Sequence, residues 1–233
     1  MLKREIGKWD LILLILNATI GAGILGLPSA IYRIVGVYSI LAILGCGILV
    51  VIIGLTFSRV ATRFDATGGP YLYTLAAFGK TPAFLMGWTM LTSRVFTFAA
   101  LMNLLLSYFD AAKLSPWTRP IFIIGFTGVI AAVNYLGIRK STVFNNFLSG
   151  FKIASLLGFI LAGIFFLREP NFRLSGSLPS VEQFSSAALL LIFSFTGFEA
   201  ALVATGEVKK PKKAIGFALI CSLLTVATIY SFV

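Results

Sequence analysis

The chain has 233 residues, of which 58% are hydrophobic and only 12% charged. This composition excludes a soluble globular domain and predicts an all-α, multi-pass membrane protein. The formal net charge of +11 does not indicate nucleic-acid binding, because membrane proteins carry basic cytoplasmic loops and no basic run here is interleaved with aromatic residues. Histidine is absent, and both cysteines, Cys46 and Cys221, fall within predicted spans. We therefore expect no metal site, cofactor or disulfide.

Hydropathy predicts seven membrane spans, which together form one transmembrane domain of residues 1–233. With the N-terminus inside, twelve basic residues lie in the inner segments and five in the outer ones. The positive-inside rule therefore predicts a cytoplasmic N-terminus, and we expect the protein in the plasma membrane. Residues 65–79 fit either an interfacial helix after a Gly-Gly-Pro turn or a simple loop. The predicted spans cover about residues 11–31, 38–60, 82–109, 118–137, 143–167, 184–206 and 212–233.

The first span contains a stretch that interrupts its own helix. Residues 17–28 hold three glycines within six positions, preceded by the polar Asn17 and Thr19 and closed by Pro28. Each glycine costs about 1 kcal/mol in a helix interior relative to alanine. A helix broken in lipid leaves backbone groups unpaired, so such a break survives only inside protein or beside a cavity. Close helix packing is the alternative interpretation, and it is the one we favour for Gly45 and Gly47 in the second span.

The sixth span is interrupted in a similar way. Residues 194–199 place two hydroxyls, a glycine and the carboxylate of Glu199 inside an apolar run. The two interrupted spans are five apart, and because five is odd, a second copy of such a unit would enter the membrane from the opposite side. This is the inverted-repeat arrangement of secondary transporters, in which the breaks meet at a binding site near the midplane.

The sequence stops within an apolar run, with one five-helix unit and the start of its partner present. We therefore expect this chain to be part of a longer transporter. The alternative is a truncated or non-transporting subunit or remnant. A membrane enzyme is disfavoured, because there is no histidine and the spans hold a single carboxylate.

Five short motifs resemble the amino acid–polyamine–organocation (APC) superfamily of transporters. The resemblance covers essentially the whole chain and implies a LeuT-type inverted-repeat fold and a permease that works by alternating access, proton-coupled or by exchange. The implied partners are an amino acid substrate, the lipid bilayer and protons, and the oligomeric state is open. The motifs lie at residues 20–28, 68–73, 134–139, 145–152, and 195–199 with 207–211.

The chemistry of a free amino acid matches a broken helix. Backbone N–H groups opening the outer half suit the carboxylate, and carbonyls ending the inner half and the sixth-span segment suit the ammonium. Glycine at the break lets a ligand approach the backbone. By resemblance, the substrate sits there. The candidate substrate-binding residues are Thr19, Ile20, Gly21, Ala22, Gly23, Ile24, Phe195, Thr196, Gly197 and Glu199.

Lys152 is the candidate coupling residue. It lies about nine residues into the fifth span, roughly 14 Å deep at 1.5 Å per residue, where snorkelling to the interface is difficult. In similar proteins the corresponding lysine approaches carbonyls of the first break and stands in for a sodium ion. A buried lysine can exchange a proton, so Lys152 fits either proton coupling or a permanent structural charge in an exchanger.

Several roles stay open in the sequence. Glu199 fits contact with a substrate cation or a gate bonded to a neighbouring helix, and Arg94 fits an ion pair within the bundle or substrate contact. Phe195 and Phe198 fit an aromatic gate, although core packing is the simpler interpretation. The sequence does not choose between neutral amino acids, cationic amino acids and polyamines.

Overall fold

The computed structural model describes residues 4–21, 23–64, 66–110, 117–166 and 178–233, and Ala22 of the first break lies outside them. Across these residues the secondary structure is helical, apart from one isolated bridge between Ile6 and Val208. The α-helices are α1 (Lys8–Thr19), α2 (Gly23–Val35), α3 (Ser39–Ala61), α4 (Pro70–Phe78), α5 (Lys80–Asp110), α6 (Thr118–Tyr135), α7 (Ile138–Ile164), α8 (Val181–Phe195), α9 (Phe198–Val203) and α10 (Pro211–Phe232).

Five helical stretches in the described part of the chain are long and apolar enough to cross a membrane. The first of them, Leu27–Ala61, runs through α2 and α3, and the others correspond to α5, α6, α7 and α10. Helices α1 and α8 are not among these five, because each ends at a break and is too short to cross a membrane by itself. The molecule is therefore an all-α, multi-pass membrane protein, while the seven-span topology remains a prediction.

Contacts within the chain divide it into two compact units, residues 1–69 with 145–233 and residues 70–144. In the first unit α10 packs along α3 and α1, α8 packs against α2 and α3, and α9 packs against α1. Small residues allow α10 to approach α3 closely. A Cβ added at Gly47 would lie 3.0 Å from the Cβ of Ala227, which agrees with the packing interpretation of this glycine. Gly45 differs, because no described atom lies within 4 Å of a Cβ built there.

The second unit is built on α5. The nine-residue helix α4 follows the Gly-Gly-Pro turn and packs against α5, where Gly87 lies 3.2 Å, measured to its built Cβ, from the ring of Tyr71. Residues 70–78 are thus helical, as the interfacial-helix alternative requires. Large apolar side chains on α5 and α6 are exposed, among them Phe96 and Ile121, as expected for surfaces that face lipid.

Pro28 does not close the helix at the first break. Helix α2 begins at Gly23 and continues through Pro28 to Val35. In an apolar environment a helix that stops leaves several unpaired backbone groups, whereas a proline within it removes only one N–H donor, and membrane helices tolerate the smaller loss. Pro211, by contrast, occupies the first turn of α10 as expected.

The chain before α1 is tied to the segment that follows α9. The N–H of Ile6 donates to the carbonyl of Glu207 at 3.0 Å, and the N–H of Lys209 donates to the carbonyl of Ile6 at 2.8 Å. Nearby, the N–H of Gly68 donates to the carbonyl of Val203 at 3.0 Å. These bonds hold the segments that precede α1, follow α3 and follow α9 close together.

Candidate functional site

The first helix break lies between the end of α1 at Thr19 and the start of α2 at Gly23. Helix α1 ends at Thr19, the N–H of Ile20 still donates to the carbonyl of Leu16 at 2.8 Å, and Ile20 then turns out of the helix with ψ of 89°. The last carbonyls of α1 therefore lack the N–H donors that a continuous helix would supply. Gly21 is exposed, and a Cβ built on it meets no described atom within 4 Å. The backbone at the break thus borders open space.

Lys152 of α7 reaches these carbonyls. Its Nζ donates to the carbonyl of Ile20 at 2.6 Å, to the carbonyl of Asn17 at 3.1 Å and to the side-chain Oδ1 of Asn17 at 2.7 Å. One ammonium group thereby satisfies three oxygens at the end of a broken helix, and an ammonium has three N–H donors in all. The lysine does what a bound cation would do at this position.

A second amide orients Asn17. The Nδ2 of Asn17 donates to the Oδ1 of Asn145 at 2.6 Å, which leaves Oδ1 of Asn17 directed at the lysine. The same two helices meet again further along, where Ser149 donates to the carbonyl of Leu13 at 3.1 Å and Asn146 donates to the carboxylate of Asp10 at 2.7 Å. A row of polar contacts therefore runs along the α1–α7 interface to Lys152.

The second break falls at Thr196 and Gly197. Helix α8 opens with a capping box between Ser180 and Gln183 and ends at Phe195, and the short helix α9 begins at Phe198. Thr196 is extended, and Gly197 has φ of +121°, a conformation that side chains other than glycine rarely adopt. Glycine is therefore required here by the backbone itself.

The two breaks meet at backbone contact. A Cβ built on Gly197 would overlap the carbonyl of Ala18 and would lie 3.2 Å from the Cα of Thr19. On the other half of the first span, a Cβ on Gly23 would lie 3.7 Å from the Cβ of Ser194. The end of α1 and the start of α2 thus both adjoin the end of α8, so the backbone groups of the two breaks lie close together.

Tyr230 of α10 touches both breaks. Its hydroxyl lies 3.3 Å from the carbonyl of Thr19 and 3.0 Å from the carbonyl of Ser194, and its ring centroid lies 5.0 Å from that of Phe195. Sequence reasoning missed this residue. The available signal was a tyrosine inside an apolar span, where a hydroxyl needs a partner, but nothing in the sequence says that the partners are the two broken ends.

The predicted substrate-binding residues divide by exposure. The side chains of Thr19, Ile20, Ile24 and Phe195 are buried, so only their backbone groups can serve a ligand. Gly21 and Thr196 are exposed, and Gly23 is half-buried. Ala22 lies outside the described residues. The structure brings these positions together around the two breaks, while their role in binding remains a prediction.

Glu199 accepts a hydrogen bond from the backbone of the helix break that it adjoins. Its Oε2 accepts the N–H of Gly197 at 2.8 Å, so part of its acceptor capacity stabilises the start of α9. Phe198 is buried with its ring against Phe57, at 5.7 Å between centroids. With Phe195 packed on Tyr230, both phenylalanines favour the core interpretation over an aromatic gate. Arg94 lies on α5 in the second unit.

This geometry defines a class of protein: a multi-pass helical membrane protein in which two interrupted helices meet and a lysine ammonium caps the first. Comparison with known protein families points to the same class of protein. A family model described as amino acid permease matches residues 6–233. The chain belongs to the amino acid permease family, a family of membrane transporters and not of enzymes, which confirms the APC resemblance.

The sequence identity to individual relatives is low. The chain is 28% identical to the branched-chain amino acid permease BcaP of Bacillus subtilis over 98% of its own length and 53% of that protein. It is 26% identical to the methylthioribose transporter over 98% and 53%, and 27% identical to the serine/threonine exchanger SteT over 100% and 54%, both from the same organism. The chain therefore spans about half the length of these relatives, whose named substrates differ.

Proposed function

We propose that this chain forms the substrate-binding part of a secondary active transporter for amino acids, which works by alternating access on a LeuT-type inverted-repeat fold. The observation that carries the proposal is the ammonium of Lys152, held by two carbonyls and one amide oxygen where the first helix breaks. Discontinuous helices that meet near the membrane midplane are the usual site of substrate binding in such carriers. The N-terminus is proposed to lie in the cytoplasm of a plasma-membrane protein, on the basis of the basic-residue count.

The substrate carboxylate fits the start of α2. That helix of 13 residues opens at Gly23 with backbone N–H groups that have no helical partner, and its dipole favours negative charge there. Gly21 leaves the backbone accessible, because a Cβ built on it would stand in the open space beside the break. The carboxylate is therefore assigned to the N–H groups of residues 22–24.

The substrate ammonium fits the carbonyls on the opposite side of the crossing, that is, of the point where the two helix breaks meet at Gly197 and Ala18. The carbonyls of Asn17 and Ile20 already accept from Lys152, and those of Thr19 and Ser194 accept from a single hydroxyl. A carbonyl oxygen has two lone pairs, so each can accept a second donor. Thr19 and Ser194 have the greater remaining capacity, because one hydroxyl hydrogen serves both of them.

Lys152 supplies a positive charge at the first helix break. Its described partners are all neutral oxygens, which stabilise an ammonium less than a carboxylate would. We assign it to proton coupling, in which loss of the proton loosens the end of α1 during the transport cycle. A permanent charge in a pH-independent exchanger is the alternative that the pH experiment below distinguishes.

Ligand-dependent thermal stabilisation tests the proposed function directly, since only a formed site binds and stabilises. The purified protein in detergent is titrated with leucine and serine, with their methyl esters, with the corresponding deaminated acids, and with spermidine. We expect at least one free amino acid to stabilise the protein more than its methyl ester or its deaminated acid does. Stabilisation by spermidine alone would assign the site to polyamines, and no stabilisation by any compound in the panel would contradict a formed site.

A further inference from the structure

The hydroxyl of Tyr230 lies within hydrogen-bond distance of a carbonyl at each of the two helix breaks. It approaches the carbonyl of Thr19 at 3.3 Å and that of Ser194 at 3.0 Å. Tyr230 is 3% exposed and belongs to α10, which packs along α1 and α3. A third helix thus joins the two interrupted ones at their open ends.

Both carbonyls need such a donor. Thr19 is the last residue of α1, and Ser194 lies in the last turn of α8, so the break removes the N–H four residues later that would have paired with each of them. A carbonyl left unpaired away from water costs several kcal/mol in hydrocarbon. Tyr230 offsets this cost for two carbonyls that belong to different helices.

The hydroxyl has one hydrogen for these two acceptors. It is donated to one carbonyl at a time or shared between them, and either arrangement leaves acceptor capacity at both oxygens. The ring of Tyr230 is fixed by Phe195, with 5.0 Å between centroids and an interplanar angle of 44°. The position of the hydroxyl is thereby set by packing, and the position of the two carbonyls is set by the hydroxyl.

We propose that Tyr230 is a positioning residue for the substrate ammonium: its hydroxyl holds the carbonyls of Thr19 and Ser194 at a fixed spacing, with a free lone pair on each. This inference rests on the proposed function and extends it to a residue that the substrate does not need to touch. The hydroxyl governs affinity for compounds that carry an ammonium group. It has no effect on the carboxylate half of the site.

The test compares two substitutions on the same helix. Tyr230→Phe removes the hydroxyl and keeps the ring on Phe195. Ser222→Ala is the matched control, because Ser222 is also buried on α10 and its hydroxyl also donates to a carbonyl of α1, that of Ile12 at 3.2 Å. Ile12 lies in the middle of α1, about two turns before the break. The two variants lose similar bonds, and only one of those bonds lies at the crossing.

Dissociation constants are measured for a radiolabelled amino acid that stabilises the wild type, and for its deaminated acid by competition. We expect Tyr230→Phe to weaken binding of the amino acid about tenfold while the deaminated acid changes less than twofold, and Ser222→Ala to change neither by more than twofold. Wild-type affinity in Tyr230→Phe, or equal weakening in both variants, would overturn the positioning role. A wild type that binds no amino acid would overturn the proposed function, and the positioning role with it.

Discussion

Gly197 and Ala18 meet backbone to backbone where the second helix break crosses the first. The space over the Cα of Gly197 is filled by the carbonyl of Ala18, and Gly197 has φ of +121°. Two independent constraints therefore exclude a side chain at this position, one steric and one conformational. The contact limits how far apart the two broken helices can lie where they meet.

Gly197→Ala tests this contact. We expect a loss of about 3 kcal/mol in stability, because alanine must adopt a left-handed backbone conformation and its methyl group overlaps a carbonyl. Gly45→Ala is the control, since Gly45 lies in α3 with no described atom within 4 Å of its built Cβ. There alanine should raise stability by up to about 1 kcal/mol. Thermal unfolding in detergent measures both, and equal melting temperatures for the two variants would contradict the crossing.

Lys152→Met removes the ammonium at the first break. Three oxygens then lose their donor, at about 1–3 kcal/mol for each buried group left unsatisfied, and we expect a lower melting temperature together with loss of amino acid binding. Lys140→Met provides the control, because Lys140 is an exposed lysine on the same helix. Unchanged binding in Lys152→Met would show that the ammonium is dispensable.

Lys152→Arg separates proton coupling from a fixed charge. Arginine keeps the positive charge but does not release its proton at accessible pH, so uptake into proteoliposomes should depend on pH in the wild type and lose that dependence in the variant. Asp10 is the other ionisable group in the described α1–α7 contacts, and Asp10→Asn is measured beside it. The same pH profile in wild type and Lys152→Arg would assign the lysine to a fixed charge.

Asn17 and Asn145 are expected to act as one unit. Asn17 contacts both Lys152 and Asn145, whereas the one described hydrogen bond of the Asn145 side chain is to Asn17. Asn17→Ala should therefore destabilise the protein more than Asn145→Ala does, and the double variant should be no less stable than Asn17→Ala. Unfolding measurements on the three variants form a double-mutant cycle. Strictly additive losses would mean that Asn145 does not act through Asn17.

The sequence predicted the elements of this site better than their contacts. Glycine clusters and polar residues inside apolar runs locate both breaks, because a helix in lipid has no other tolerated interruption. The depth of Lys152 along its span follows from helix rise, and the structure brings its Nζ to the break as the resemblance implied. The positions of the breaks and the depth of Lys152 depend on local composition and helix periodicity, so they can be predicted from a single sequence.

Contacts between distant segments were not predictable in the same way. Tyr230 and Thr19 are 211 positions apart, and neither residue carries a pattern that selects the other. The sequence also did not show that α2 continues through Pro28, because a proline often marks a helix end in water whereas an apolar environment favours a continuous helix. The sequence left the role of Glu199 open, and it gave no sign that the N–H of Gly197, two residues away, is one of its partners.

Binding of a radiolabelled free amino acid to the wild type and to Gly21→Leu tests the central claim most directly. Gly21 is exposed, its φ is not positive, and a Cβ there meets no described atom within 4 Å, so leucine should fold while filling the space assigned to the substrate. Gly158→Leu, at an equally open glycine on α7, is the control. We expect wild type and Gly158→Leu to bind the amino acid, and Gly21→Leu to lose binding with its melting temperature retained. Undiminished binding in Gly21→Leu would contradict a substrate site at the crossing of the two breaks.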